Sequence, residues 1–215
     1  MAKLSHEEEL MRQKEMWQYE EQAKEKGYKM IAGVDEAGRG PLAGPVFAAA
    51  VILKDGAVID GINDSKKLTE KKREALYDII KENAVAYAVY AVDEQAIDRI
   101  NILNATHLAM NRAVESLSKR ADYVLIDGNS IKGMETPHET IVKGDSKSIS
   151  IAAASILAKV SRDRFIVKMA EQYPEYGFEK HKGYGTRAHT DAILKYGPSP
   201  IHRKTFLKKL LGEKI

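Results

Sequence analysis

The stretch IAGVDEAGRGPLAGPV, residues 31–46, predicts both the fold and a candidate functional site. Its opening apolar run is typical of a buried strand, and two adjacent acids, Asp35 and Glu36, end that run. A glycine-rich turn at residues 38–40 follows, and a second apolar run then begins. Functional groups gather where the strands of an open α/β sheet end, because the loops there can diverge around a ligand. The stretch therefore predicts a site at the end of the first strand.

Two other apolar runs in the chain also end in acids. YVLID ends at Asp127, and TIVKGD ends at Asp145. If these strands are neighbours, the four carboxylates converge and repel one another, and a bound divalent cation relieves that repulsion. Because the chain has no cysteine and these donors are all oxygens, the preferred cation is Mg²⁺ or Mn²⁺ rather than zinc. Four carboxylates suffice for two such ions at ~4 Å, the arrangement that serves phosphodiester hydrolysis.

Each of these acids also has a purely structural interpretation. Asp127 is followed by glycine and fits an ordinary turn, and Asp145 fits the cap of the following helix. Asp35 and Glu36 point to opposite faces of a regular strand, so they reach one site only if the backbone bends there. For any one acid the structural interpretation is favoured. Three acidic strand ends together leave the two interpretations evenly balanced.

The glycine-rich turn adds candidate substrate contacts. Gly38 and Gly40 lack a Cβ, so backbone amides could approach a ligand closely there, and Arg39 offers a planar donor fork suited to phosphate. Further along, Lys66 could meet a phosphate, and Tyr184, between two glycines, suits stacking on a sugar or base. A simple chain reversal and a solvated surface lysine are the plainer alternatives.

A polar stripe follows one side of a predicted long helix at residues 148–169. Such a stripe is usually a solvated face, but it could also track a phosphate backbone. Ser155 is its candidate substrate contact. The members of the stripe are Ser148, Ser155, Lys159 and Arg162.

Composition places the chain among ordinary globular proteins. Of its 215 residues, 44% are hydrophobic and 30% are charged, which allows one large domain or a domain with an appendage. No apolar stretch approaches the ~20 residues of a membrane span, and the N-terminus lacks the apolar core of a signal peptide. With the absence of cysteine, these features predict a cytoplasmic protein that does not contact a membrane.

Charge is distributed unevenly along the chain. Residues 180–215 carry nine lysines and arginines against two acids, a net charge of +7, while the rest of the chain carries −4. A basic tail suits a polyanionic partner. On charge alone, however, a solvated lysine-rich surface is the favoured explanation.

The hydrophobic pattern divides the chain into three sections. Residues 5–27 predict a polar helix, capped by Ser5 with Glu8, which we expect to be an appendage rather than core. The middle section alternates apolar runs and helical patterns, which predicts an α/β fold, with a mixed central sheet flanked by helices. We expect strands at 30–35, 45–53, 85–92, 123–127 and 140–145, and helices at 68–82 (Thr69 as N-cap), 100–117 and 148–169. From residue 174 onward we expect a helix near 187–196 and no strand.

Six blocks of sequence, in this order, resemble bacterial ribonuclease HII. They span most of the chain: IAGVDEAGRGPLAGPV, NDSKKL, NILNATHLAM, YVLIDGN, VKGDSKSISIAAASILAKVSRD and HKGYGT. The resemblance implies a ribonuclease-H-like fold with a small helical C-terminal part. We accordingly expect an N-terminal helical extension at 1–28, a catalytic domain at 29–173 and a basic, mainly helical region at 174–215.

The resemblance also implies an activity. The expected enzyme is an endonuclease that cuts the RNA strand of RNA–DNA hybrids and cuts 5′ of single ribonucleotides embedded in duplex DNA. Two bound Mg²⁺ or Mn²⁺ ions would support hydrolysis to a 3′-hydroxyl and a 5′-phosphate. The expected catalytic, metal-binding acids are Asp35, Glu36, Asp127 and Asp145. With the residues singled out above, the expected substrate contacts are Gly38, Arg39, Gly40, Lys66, Ser155 and Tyr184.

Nucleic acid is the expected partner, with no obligate protein partner and a monomeric chain. The sister family, ribonuclease HIII, is similar in its core, but it carries a glutamate as its fourth acid and a separate N-terminal domain. Here the fourth acid is an aspartate, and the ~29 residues before the first strand are too few for a domain. Two rivals from other classes remain: a non-catalytic nucleic-acid-binding module, which does not need acids at three strand ends, and a metal-dependent phosphatase of small molecules.

Overall fold

The computed structural model describes residues 5–212, and a five-stranded mixed sheet lies at their centre. Its strands are β1 (Ile31–Ala37), β2 (Val46–Leu53), β3 (Ala84–Val92), β4 (Tyr123–Asp127) and β5 (His138–Ile141). They lie in the order β3-β2-β1-β4-β5. The first three strands pair antiparallel, whereas β4 pairs parallel with β1 and β5 pairs parallel with β4. The predicted mixed sheet is confirmed.

Eight α-helices accompany the sheet within the described residues. They are α1 (His6–Met16), α2 (Gln18–Glu25), α3 (Glu70–Asn83), α4 (Glu94–Glu115), α5 (Ile149–Gln172), α6 (Phe178–His181), α7 (Arg187–Tyr196) and α8 (Lys204–Leu211). Thr69, Ser148 and Thr186 cap α3, α5 and α7, each accepting a hydrogen bond from the amide three residues on. Within residues 5–212, no helix has the length and apolar character needed to cross a membrane.

The two faces of the sheet carry separate hydrophobic cores. Along β2, Ala48 and Ala50 contribute to the core that includes α4, while Ala49 and Val51 contribute to the core that includes α5. This division follows from the alternation of side chains along a strand, and it explains why all of β2 is apolar. At Gly33 of β1, a Cβ would lie only 2.1 Å from a backbone atom of α5. The start of α5 therefore touches β1 directly, two residues before its first acid.

Residues 6–25 form two helices that pack on the body of the molecule. The capping box of Ser5 and Glu8 is confirmed, but the helix breaks at Trp17, whose indole N–H donates to the connection between β2 and α3. Met16 and Ala23 are buried in two of the cores. The expectation that this segment is an appendage is therefore wrong. Polar side chains are buried beside these two residues, which hid the contact from the hydrophobic pattern. The domain boundaries themselves stay predictions.

The last strand ends earlier than the sequence predicts. β5 stops at Ile141 instead of residue 145. Lys143 adopts a left-handed conformation (φ 57°) and is followed by a 3₁₀ turn, Gly144–Ser146. Asp145 therefore lies on a turn beyond the strand, not at its end, and it is not the cap of α5.

The helix α4 also differs from the prediction. It begins at Glu94 and contains one non-helical residue, Asn101 (φ 65°, ψ 165°). After this break, different side chains of the helix point toward the sheet. Leu103, which the sequence predicts to point inward, is 43% exposed. His107, predicted to be a packed core histidine, is buried.

The C-terminal part is helical, as predicted. Phe178, Ile193 and Leu207 form its core together with Ile166 of α5. An isolated antiparallel bridge joins Ala43, just before β2, to His202. This part therefore packs against the chain that connects β1 to β2.

Candidate active site

Three carboxylates meet at one edge of the sheet, and we call Asp35, Asp127 and Asp145 the acidic cluster. One oxygen atom from each lies within 4.8 Å of the others. The parallel register of β1 and β4 places Asp35 beside Asp127 where the two strands end their pairing. Asp145 joins them from the turn after β5, where the N–H of Gly144 donates to Asp127 Oδ1 at 2.7 Å. The convergence predicted for these three acids is present.

Glu36 stands beside the acidic cluster and is not one of its three members. No extra residue interrupts the strand here, since Asp35 and Glu36 pair in turn with consecutive residues of β2, but the two carboxylates are close enough for the charge of Glu36 to raise the pKa of Asp35. One Oε atom of Glu36 lies 3.5 Å from the guanidinium of Arg39. Burial raises the pKa of Glu36, the charge of Arg39 lowers it and the charge of Asp127 raises it. The charge of Glu36 therefore interacts both with the acidic cluster and with Arg39 of the glycine-rich turn.

Burial and the repulsion of neighbouring acids both disfavour the charged forms of Asp35 and Asp145. Burial raises the pKa of Asp35 well above its usual range, and the charges of Glu36 and Asp127 raise it further. Burial also raises the pKa of Asp145, to which Asp127 and Asp64 add. A divalent cation would remove this unfavourable energy. This set of oxygen donors, two buried and one half-buried, therefore fits Mg²⁺ or Mn²⁺.

One lysine approaches the acidic cluster from solvent. Lys66 Nζ lies 3.7 Å from a carboxylate oxygen of Asp145, and its side chain is 78% exposed. Lys66 belongs to a 3₁₀ turn, Ser65–Lys67. The first amide of that turn donates to the hydroxyl of Ser155 at 3.3 Å. Since Ser155 is 1% exposed, its hydroxyl holds the turn that carries Lys66.

Residues 38–41, which we call the glycine loop, are held from behind by a buried arginine. Arg203 is fully buried, and its guanidinium donates at 2.6 to 2.9 Å to four carbonyls, those of Gly38, Arg39, Pro41 and Gly44. These carbonyls are thus turned inward. Among the described residues, the amides of Arg39 and Gly40 donate to no protein acceptor. The glycine loop therefore keeps its N–H groups free for a ligand.

A second buried arginine lies under the glycine loop. Arg162 of α5 is fully buried and donates to the carbonyls of Ala43 and Lys182 at 3.1 Å each. Gly38 has a positive φ of 97°, and a Cβ there would lie 2.1 Å from Arg162 Nε. The fold itself therefore requires glycine at this position.

Tyr184 faces the glycine loop from the C-terminal part. Its side chain is exposed, and a Cβ on Gly40 would lie 3.7 Å from its Cε1 atom. Lys159 and Arg162 each lie 5.9 Å from the centre of the ring, within range of a cation–π interaction. The stacking role of Tyr184 stays a prediction, which this exposed position allows.

Several polar residues do not lie where the sequence analysis placed them. Of the stripe on α5, three members are buried: Ser148, Ser155 and Arg162. The stripe is therefore not a solvated face, and only the side chain of Lys159 remains 20% exposed. Arg203 is buried too, so it is unavailable to a polyanion bound by the basic tail. The last charged residues of that tail, Glu213 and Lys214, lie outside the described residues.

Solved structures define the class of protein. The chain matches ribonuclease H2 from Pyrococcus horikoshii OT3 with a TM-score of 0.71 and 28% identity, covering 85% of this chain and 97% of that one. It matches the ribonuclease HII of Archaeoglobus fulgidus, solved in complex with PCNA, with a TM-score of 0.65 and 26% identity over 81% and 94% of the two chains. A ribonuclease HIII solved with Mn²⁺ gives a TM-score of 0.65 at 19% identity over 85% and 69%, which shows the fold alone. The fold is ribonuclease-H-like, as predicted.

Sequence comparison gives the family. A family model described as Ribonuclease HII matches residues 32–209. The ribonuclease HII of Caldicellulosiruptor saccharolyticus is 57% identical over 195 residues, 91% of this chain and 95% of that protein. The one from Clostridioides difficile strain 630 is 55% identical over 193 residues, 90% and 76%. The chain belongs to the ribonuclease HII family.

Membership makes the chain a metal-dependent ribonuclease, an endonuclease of RNA–DNA hybrids. The family and the fold class expected from the sequence are confirmed, as is action on nucleic acid. The roles of individual residues, the number and identity of the ions, the cytoplasmic location and the monomeric state stay predictions.

Proposed function

We propose that the chain cuts the RNA strand of hybrids and also cuts 5′ of a single ribonucleotide within duplex DNA, leaving a 3′-hydroxyl and a 5′-phosphate. The observation that carries this proposal is the acidic cluster, with three carboxylate oxygens within 4.8 Å of one another. The glycine loop lies next to it, joined through the contact of Glu36 with Arg39. Carboxylates for cations and N–H donors for a ribonucleotide therefore lie next to each other.

The acids would hold the ions. Asp35, Asp127 and Asp145 would coordinate one divalent cation, and Glu36, one residue from Asp35, would complete a site for a second. When bound, such cations supply Lewis acidity at the phosphate and lower the pKa of a bound water. The chain contributes an oxygen-only donor set, which favours hard cations, Mg²⁺ or Mn²⁺.

The glycine loop would recognise the ribose. The amides of Arg39 and Gly40 have no acceptor within the described chain, so they can donate to a 2′-hydroxyl, the group that distinguishes RNA from DNA. These contacts do not depend on the base. Tyr184, on the other side of Gly40, would stack on the next sugar, where an additional 2′-hydroxyl would crowd the ring.

Two further residues would act on the phosphate backbone. Lys66 is exposed beside Asp145 and would bind a phosphate as a point charge. Ser155 is buried, so its contribution to substrate binding would be to hold the turn that carries Lys66. The exposed lysines of the C-terminal part would attract the duplex more generally, so binding should weaken as salt rises.

Matched duplexes that differ by a single 2′-hydroxyl test the proposed function. With Mg²⁺ or Mn²⁺ present, we expect one cut, 5′ of the ribonucleotide, and no cut in the all-DNA control. Asp127→Asn should abolish cutting while duplex binding persists. Unchanged cutting by Asp127→Asn would exclude the proposed metal chemistry, and cutting of the all-DNA duplex would exclude recognition through the 2′-hydroxyl. Hydrolysis of a small phosphomonoester with the duplex left intact would instead favour a phosphatase.

A further inference from the structure

A buried glutamate on the N-terminal helices lies at the start of α5. Glu20 of α2 is 2% exposed. One of its oxygens accepts hydrogen bonds from the hydroxyl of Ser148 at 2.6 Å and from the amide of Ser150 at 3.1 Å. The Ser150 hydroxyl donates to the same oxygen. Ser148 is the N-cap of α5, so Glu20 binds the first turn of that helix from outside it.

The first turn of α5 is connected directly to the acidic cluster. The Ser148 amide donates to the carbonyl of Gly144 at 2.8 Å, and the Gly144 amide donates to Asp127 Oδ1 at 2.7 Å. Asp145 is the next residue of the same turn. Glu20 thus stands at the end of a continuous chain of hydrogen bonds that reaches one acid and the backbone of another.

The same turn also touches the strand that carries the third acid. A Cβ at Gly33 would lie 2.1 Å from the carbonyl carbon of Ser150, and Gly33 precedes Asp35 by two residues. The segment 144–150 therefore carries Asp145 and contacts the two strands that carry Asp35 and Asp127. A shift of this segment would alter the spacing of all three carboxylates together.

Stability alone gives little reason for a glutamate here. Burying a carboxylate is costly unless it is fully paired, and among the described residues the second oxygen of Glu20 has no hydrogen-bond partner. Moreover, α5 already has a side-chain cap in Ser148 and is 24 residues long. Burial raises the pKa of Glu20, but its accepting oxygen is well placed against the positive end of the helix dipole and the converging donors of the turn.

We propose that Glu20 is a positioning residue that fixes the first turn of α5 and thereby sets the spacing of the acidic cluster for metal binding. This inference rests on the proposed metal site. It assigns the N-terminal helices a part in the active site, although Glu20 itself touches neither metal nor substrate.

Calorimetric titration with Mn²⁺ alone, without substrate, tests this role. Removing a group that orients metal ligands typically weakens metal affinity ~10-fold or more, so Glu20→Ala should raise the Mn²⁺ Kd by about that factor. Glu20→Gln keeps an acceptor oxygen for the three donors and should restore most of the affinity. Ser150→Ala removes one donor with little change in volume and should raise the Kd by a smaller factor. This last variant keeps the test usable if Glu20→Ala does not fold.

Gln13→Ala is the matched control. Gln13 of α1 is also 2% exposed, and its amide exchanges two hydrogen bonds with the backbone of Ile59. It anchors the same N-terminal segment at a place other than α5. Gln13→Ala should lower stability but leave the Mn²⁺ Kd unchanged.

The outcomes separate the two proposals. If Glu20→Ala and Ser150→Ala bind Mn²⁺ as tightly as Gln13→Ala, the positioning role is excluded. If Asp145→Asn binds Mn²⁺ as tightly as the parent protein, the proposed metal site itself is excluded. A loss in Asp145→Asn, a smaller loss in Glu20→Ala and recovery in Glu20→Gln would support both.

Discussion

The acidic cluster and the glycine loop lie side by side, but buried groups of opposite charge support them. The first turn of α5, which follows the turn that carries Asp145, is bound by a buried carboxylate, Glu20, whereas the glycine loop is held by a buried guanidinium, Arg203. Each support matches the groups that it meets. The start of α5 offers two hydroxyls and one amide, which donate to an oxygen of Glu20, whereas the glycine loop turns its carbonyls inward, where they accept from the guanidinium of Arg203. Both supports come from segments outside the sheet, so the terminal regions help to build the site.

The largest loss of stability is expected for a substitution of Arg203. Arg203→Met fills a similar volume but leaves four carbonyls without their donor. We expect the free energy of unfolding to fall by about 3–5 kcal/mol, and cleavage to fall with it as the glycine loop loses its shape. Urea denaturation followed by circular dichroism measures the first effect.

An exposed arginine of the same region provides the control for Arg203. The side chain of Arg187 is 95% exposed, and Arg187→Met should leave the unfolding midpoint nearly unchanged. Equal midpoints for the two variants would show that the loop does not depend on a buried cation, and the comparison between the two supports would fail.

A smaller effect should distinguish the two glycines of the loop. Gly38→Ala combines a left-handed backbone (φ 97°) with a clash against Arg162 and should cost ~2 kcal/mol of stability. At Gly40 a Cβ makes only an ordinary contact with Tyr184, at 3.7 Å, so Gly40→Ala should change stability by less than ~0.5 kcal/mol.

Gly40→Ala should nevertheless lower kcat/KM on a duplex with one ribonucleotide, because the new methyl group narrows the gap between the loop and Tyr184. Full activity of Gly40→Ala would remove the assigned ribose contact.

Local patterns predicted the parts of the site that depend on local physics. An apolar run that ends in acids gave β1 with Asp35 and β4 with Asp127, and cap residues such as Thr69 marked helix starts. The position of Asp145 was harder to predict, because the left-handed residue after β5 is a lysine, Lys143, a residue type that does not signal this conformation. The composition of that segment is compatible with both a longer strand and a turn.

The two buried supports could not be predicted from the sequence, since burial of a charge depends on distant partners. Arg203 was counted with the exposed basic tail, because nothing in its neighbourhood distinguishes it from the other cations there. For Glu20 a signal did exist. Four buried residues of the N-terminal helices recur at helical spacing, Gln13, Met16, Glu20 and Ala23. Two of them are polar, so the hydrophobic pattern does not reveal that this face of the helices is buried.

The stability that the two regions contribute should change in opposite directions as the pH falls. His189 and His202 lie behind the glycine loop with their Nε2 atoms 3.0 Å apart, and burial lowers the pKa of each from 6.5 to about 4. The unfolded state therefore binds more protons than the folded state between these values. The stabilisation is complete above pH 6.5 and is lost as the pH falls toward 4. Asp35 and Asp145 have raised pKa values, so these two acids act in the opposite direction.

A difference measurement isolates the histidines from the acids. We expect His202→Gln to lose less stability than the parent protein on acidification, when urea midpoints are compared across this pH range. The exposed His138 provides the control, since His138→Gln should follow the parent curve. Parallel curves for His202→Gln and the parent would show that the histidine pair does not link the stability of this region to pH.

The smallest change in stability is expected for Lys66, the exposed lysine beside the acidic cluster. Lys66→Ala should change stability by less than ~0.5 kcal/mol, because its contact with Asp145 is exposed and 3.7 Å long. If Lys66 binds a phosphate, removing it should reduce the slope of log K against log salt by about 1. Duplex binding measured without divalent cations, so that no cutting occurs, gives this slope. Lys67 is exposed in the same turn, and Lys67→Ala should reduce the slope less. An equal or larger change for Lys67→Ala would mean that the turn attracts the duplex through its overall charge, without a specific phosphate contact by Lys66.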